Sequence, residues 1–142
     1  MTDFLEREGL RQTDEAWLVV DRDCWTDEQL HRLNDWSRLR HNHGMALSNP
    51  SFEYWLLLHF EDGLGVRTLR ECVDRLRRWL PSYDKGFDRY KICQDQIEAA
   101  IRRAKTRDKP MVEDWPRDFG QTTVYRLVDR ILGGPKAELA KV

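Results

Sequence analysis

Asp21 and Asp23 stand two residues apart at the end of the apolar run Ala16-Trp17-Leu18-Val19-Val20, the sharpest chemical signal in the chain. On an extended chain, side chains two apart point the same way, so both carboxylates would face one ligand. Paired carboxylates suit Mg²⁺ or Mn²⁺, hard cations that take oxygen ligands and leave positions for water or phosphate oxygens. A plainer reading stands beside this one: strands often end in Asp because it suits turns. Glu53 follows Asn49-Pro50 closely enough to fall in the first turn of a helix. It reads either as a carboxylate favoured by the helix N-terminus, or as a third metal ligand or a base that orients water.

Other candidates carry less. His41-Asn42-His43 is contiguous at an expected helix end, unlike the dispersed His and Asn of a ββα-metal nuclease, and reads as a solvated helix terminus. His59 falls on an apolar face and reads as a satisfied core histidine, and His31 as a helix-surface residue. Cys24 has no neighbouring His to serve as its base. Arg102, Arg103, Lys105, Arg107 and Lys109 form the densest basic run, with Arg75, Arg77 and Arg78 as a second cluster. Each is either a solvated helix face or a phosphate-contacting surface whose affinity falls with salt.

These groups need elements to position them. Ala16–Val20 has the length and valines of a strand buried on both faces. Thr26-Asp27-Glu28-Gln29 matches a capping box, opening a helix with Leu30, Leu33, Trp36 or Ser37, and Arg40 on one side, to about His41. Gly44 can close it, and Met45–Leu47 suffices for a short second strand. Strand, helix, strand is a βαβ unit, whose strands run parallel and end at the same sheet edge, where ligands bind in open α/β folds. Asp21, Asp23, Ser48 and Asn49 then share that edge. Asn49 is expected to cap the next helix, with Pro50 at its first position and Phe52, Trp55, Leu56, His59 and Phe60 on one face; Tyr54–Leu58 also fits a strand by periodicity, and the Asn-Pro start favours the helix.

Thr68-Leu69-Arg70-Glu71 is a second capping box, opening a helix that Pro81 stops. A longer helix is expected from about Asp88 to Thr106, with Ile92, Ile97, Ala100, Ile101 and Ala104 as its stripe. After a polar loop over 107–121, Thr122 or Thr123 starts a last helix, ended by Gly133-Gly134-Pro135 before a disordered tail.

The whole chain of 142 residues bounds these readings. Net charge is −1, yet residues 1–66 carry 6 basic and 13 acidic side chains while residues 67–142 carry 18 and 12. If nucleic acid lies across the arginines, an acidic α/β unit (1–66) joined to a net-basic helical region (67–142), packed as one domain, would divide the labour between metal and phosphate. At 40% hydrophobic the chain can build a core. No apolar run approaches bilayer length and no secretory leader is evident, so a cytoplasmic protein without membrane association is expected. Three widely spaced cysteines, Cys24, Cys72 and Cys93, argue for reduced thiols.

The stretches Asp14–Asp23 and Ala46–Glu61, with Ser-Asn-Pro-Ser-Phe-Glu-Tyr-Trp-Leu-Leu-Leu-His-Phe at their centre, closely resemble the RloB-like family. The resemblance continues through Leu80-Pro81-Ser82-Tyr83-Asp84-Lys85-Gly86 and Thr122–Val128. It implies a bacterial phage-defence or abortive-infection protein, encoded near restriction–modification genes and an ABC-type ATPase partner. It also implies a divergent Toprim domain, with Asp21 and Asp23 as its Asp-x-Asp motif, Mg²⁺ or Mn²⁺ as cofactor, and nuclease activity. Such domains open with a strand ending in Glu-Gly, whose glutamate is the acid or base. Here only Glu8-Gly9 is available and no apolar strand precedes it, so it reads as a helix end, with the motif glutamate and a strand missing from this chain. The expectation is a helix-rich α/β fold, a partial Toprim-like βαβ unit followed by helices. The activity this implies is that of a metal-dependent nuclease subunit acting on DNA or RNA. The alternatives are nucleotidyl transfer at the same edge and a non-catalytic module that docks on the ATPase or self-associates.

Overall fold

The computed structural model describes residues 2–9, 14–85, 91–108 and 111–133. Its elements in chain order are α1 (Thr2–Glu8), β1 (Ala16–Asp21), α2 (Asp27–Arg38), β2 (His43–Asn49), α3 (Phe52–Leu57), α4 (Leu69–Trp79), α5 (Gln94–Arg107), β3 (Gln121–Thr122) and α6 (Val124–Ile131). Short 3₁₀ turns follow β1 at Arg22–Cys24 and α4 at Tyr83–Lys85. The fold is helix-rich α/β, as expected.

The strands lie in the order β1-β2-β3. β1 and β2 pair in parallel from Ala16↔His43 to Asp21↔Ser48, so the βαβ unit is present and both strands end at one edge. The expectation that β1 is buried on both faces fails: among the described residues it is an outer strand of the sheet, and Val19 is 48% exposed. The doubly buried strand is β2, buried at every residue. β2 is also longer than expected, and it takes in Gly44, which does not close α2. Trp17 lies opposite, its ring 2.5 Å from where a Gly44 Cβ would stand, so only glycine leaves room for that indole. The added strand β3 pairs antiparallel with β2 through Ser48↔Thr122 and Asn49↔Gln121. Two polar residues carry no alternating pattern, which is why sequence reading left Gln121 in a loop.

Period-two alternation divides β2 between two cores. Met45 and Leu47 pack with Val20, Leu30 and Trp115, while Ala46 joins a larger cluster of α3, α4, α5 and α6 that includes Leu57, Leu76, Ala104 and Val124. α3 is the centre of the second core. Tyr54 to Leu58 are all buried, so beyond its first two residues this helix is enclosed on every side rather than on the single face expected. Phe52, placed on that face by spacing, is instead 37% exposed. His59 is a core histidine, its Nδ1 3.0 Å from the Trp55 carbonyl, and burial holds its pKa below the usual value.

Both threonines cap helix starts, but only the first capping box is complete. At α2 the Thr26 hydroxyl accepts from Gln29 N–H and the Gln29 side chain accepts from Thr26 N–H. At α4 the Thr68 hydroxyl accepts from Glu71 N–H, but the Glu71 carboxylate accepts from Arg67 N–H, one residue earlier than the motif predicts. α2 ends at Arg38 rather than near His41, and α5 begins at Gln94 with Cys93 as its cap, leaving Ile92 outside the helix. The expected Asp88 start, Gly134-Pro135 and the tail lie outside the described residues. Among the described residues no helix is long and apolar enough to cross a membrane.

Candidate active site at the carboxyl edge of the parallel pair

The candidate site forms where β1 ends beside the start of α3. Asp21 is the last residue of β1, and its Oδ1 accepts a 2.8 Å hydrogen bond from Phe52 N–H, the first amide of α3. This satisfies one of the amides a helix start leaves open. Burial pushes the Asp21 carboxyl above its usual range; the Phe52 bond opposes that rise, and the charges of Glu53 and Asp23 add to it. Three carboxylates therefore share one field at this edge.

Asp23 reaches it differently from the expectation. The strand stops at Asp21, and Arg22–Cys24 form a 3₁₀ turn, so the alternation of an extended chain does not align the two aspartates. The Asp23 amide donates to the Pro50 carbonyl at 3.2 Å, which ties the turn to the chain entering α3. The Asp23 side chain is exposed.

Glu53 is held from two sides. Its Oε2 accepts from the Ser51 hydroxyl at 2.6 Å and its Oε1 from the Tyr83 phenol at 2.9 Å. Burial raises the Tyr83 pKa well above its usual value, and the bond to Glu53 and the charges of Glu53 and Asp21 raise it further, so Tyr83 remains a protonated donor. Cys72 is fully buried nearby, its thiol pushed up to about 12 by burial and then by the Glu53 charge, which makes it inert as a nucleophile. Sequence reasoning missed the parts of Ser51 and Tyr83. Ser51 is the N-cap residue of α3, the role expected of Asn49, and Tyr83 is thirty positions from Glu53, its only sequence signal being its place in Leu80–Gly86.

Ser48 and Asn49 end β2 at this edge but turn into the protein. The Ser48 hydroxyl shares a 2.7 Å hydrogen bond with Thr122, and Asn49 Nδ2 donates to the Arg117 carbonyl at 3.1 Å. At 0% and 2% exposure, they build the floor of the edge. His41-Asn42-His43 is not a solvated terminus throughout. His41 is exposed, but Asn42 donates to the Asp14 carbonyl and His43 stacks on Trp36, both buried. Cys24, Cys72 and Cys93 are free thiols.

Part of the basic run is engaged within the fold. Arg103 donates to the Leu58 carbonyl at 2.6 Å, Arg107 to the Gly120 carbonyl at 3.3 Å, and Lys105 pairs with Asp129 at 2.9 Å. Arg102 is exposed, and Lys109 lies outside the described residues. Of the second cluster, Arg75 pairs with Glu61 and Arg77 with Asp84 and Asp74.

The donor set at the edge is all oxygen, the chemistry that Mg²⁺ or Mn²⁺ requires. Among the described residues no group of three or more His, Cys, Asp or Glu is placed to hold a metal ion. With both Glu53 oxygens already accepting hydroxyl protons, Asp21 and Asp23 are the residues that fit such an ion. One or two carboxylates are the usual protein share for Mg²⁺, water and phosphate oxygens taking the rest. A cation there would also relieve the burial and like-charge repulsion that raise Asp21.

No curated protein and no solved structure matches this chain. The family model described as RloB-like protein matches residues 2–131, a span that takes in Asp21, Asp23, Ser51, Glu53 and Tyr83. The chain belongs to the RloB-like family.

Proposed function

We propose that the chain is a Toprim-like, metal-dependent nuclease subunit of a bacterial phage-defence system, working with an ABC-type ATPase partner. The observation that carries this reading is the placement of Asp21, Asp23 and Glu53 at the carboxyl edge of the parallel pair, where burial, and after it the charges of Glu53 and Asp23, raise Asp21. Asp21 and Asp23 would hold Mg²⁺ or Mn²⁺. The bound ion would supply positive charge to a phosphate oxygen and acidify water. Glu53, fixed by Ser51 and Tyr83, keeps further lone pairs with which to orient water. Asp21, tied to Phe52 N–H, keeps the edge in register with α3.

Titration calorimetry tests the metal site. Wild type should bind Mg²⁺ or Mn²⁺, and an Asp21→Ala/Asp23→Ala variant should not; equal binding, or none by wild type, removes the proposal. A second reading, a non-catalytic module that docks on the ATPase or self-associates, has its own support. Glu8 closes α1 and Gly9 follows with φ +66, so this Glu-Gly step ends a helix. No trio of ligands is preset among the described residues either. A dimer in light scattering, with no cleavage of single- or double-stranded substrates in Mn²⁺, would favour that module.

A further inference from the structure

α4 turns a second face to solvent, away from its buried Cys72 and Leu76. Glu71, Asp74, Arg75 and Arg78 recur at helical spacing along that face and, with Arg67 just before the helix and Glu61 opposite, line an open groove of about 610 Å³. By count its charges cancel, but two of its three carboxylates, Glu61 and Asp74, are already paired with arginines. Glu61 takes Arg75 and the Trp79 indole N–H, Glu71 accepts from the Arg67 amide, and Asp74 takes Arg77. Among the described residues the Arg67 and Arg78 guanidinium groups have no ion-pair partner.

Trp79 adjoins this groove and is held as a platform. Its ring stacks on Phe60 with centroids 5.8 Å apart and planes 11° apart, its N–H is fixed 3.0 Å from Glu61 Oε2, and 47% of it is exposed. An indole pinned at its edge and backed by a second ring has already lost the freedom that a stacking ligand would otherwise remove. Exposed aromatic rings beside guanidinium groups recognise single strands, since any unpaired base offers a π-face and its flanking phosphates offer charge.

We propose that Trp79, Arg67 and Arg78 form a binding site for single-stranded nucleic acid, with a base stacked on Trp79 and phosphates against the two arginines. Duplex fits less well because its bases are not free to stack on the ring. Four residues beyond Trp79 the chain reaches Tyr83, which holds Glu53. The site thus deepens the nuclease reading, on which it rests for cleavage of the bound strand, whereas binding itself needs neither metal nor carboxylate.

Fluorescence anisotropy with labelled oligothymidine and oligouridine of about 20 nucleotides, in EDTA, tests it on the whole chain. Trp79→Ala should weaken binding about tenfold or more, and Trp79→Phe should recover most of the loss. Arg67→Gln/Arg78→Gln should lower the slope of log affinity against log salt by about 1.4, at roughly 0.7 per phosphate contact on a single strand. Thermal melts of each variant exclude unfolding as the cause, and the exposed arginine pair reports independently of Trp79. The proposal is overturned if wild type binds no single strand, if both variants bind as wild type does, or if duplex binds as tightly and is indifferent to Trp79→Ala. Because EDTA removes the ion, failure here is distinct from failure of the Asp21 and Asp23 metal site in calorimetry.

Discussion

Asp21 serves the fold and the candidate site with the same carboxylate. Its Oδ1 holds the first amide of α3 while its charge is disfavoured by burial and by Glu53 and Asp23. Between the unfolded value of 3.8 and the raised folded value, the folded chain binds more protons than the unfolded one. Stability therefore falls as pH rises through that window, and the whole penalty is present above it. Asp21→Asn keeps an acceptor for Phe52 N–H and carries no charge. In thermal melts between about pH 3 and pH 7, wild type should lose melting temperature relative to Asp21→Asn as pH rises. Excess Mg²⁺ should raise the melting temperature of wild type and leave the variant unchanged. Tyr83→Phe removes one of the two donors to Glu53 from a partly buried site. It should cost about 1 kcal/mol in urea denaturation, the scale of one hydrogen bond, and a loss near zero would show that Ser51 alone fixes Glu53.

At the scale of elements, β1 and β2 were legible because an apolar run and a capping box bracket a strand and the helix after it. Their roles in the sheet were not. Val19 is apolar yet 48% exposed, and nothing in Ala16–Val20 says that its strand lies at the edge. Gly44 illustrates the same limit, for a glycine near a helix end reads as a terminator until the Trp17 ring is seen in its place. Gly44→Ala would force that ring aside in a closely packed pair of strands. The expected loss is about 1–3 kcal/mol, read as a lower urea midpoint with an unchanged slope. The start of α3 was displaced for a related reason. Asn49 has the chemistry of a cap, but its side chain is used on Arg117, and Ser51 and Asp21 attend to the helix start instead.

In the whole molecule, the helices are joined through contacts between residues distant in sequence. Asp108 at the end of α5 is 5% exposed and accepts from the Tyr125 hydroxyl at 2.5 Å and from Arg126 at 2.8 Å, pinning α5 to α6. Asp108→Ala would leave the Arg126 cation largely enclosed without its partner and should cost about 3 kcal/mol, measured by chemical denaturation. Tyr125→Phe, which spares the ion pair, should cost distinctly less. The sequence by itself determined the parallel βαβ unit, the carboxylates at its edge, the capped starts of α2 and α4, and the family, because periodicity, end signals and a contiguous block are local properties. Tertiary structure alone decided that β2 is the inner strand, that Ser51 and Tyr83 hold Glu53, that Arg103 and Arg107 of α5 donate to backbone carbonyls, and that Arg67 and Arg78 line the groove beside Trp79. Those outcomes depend on which distant groups meet, and a hydrogen bond between positions 53 and 83 has no signature in the spacing of either residue's neighbours.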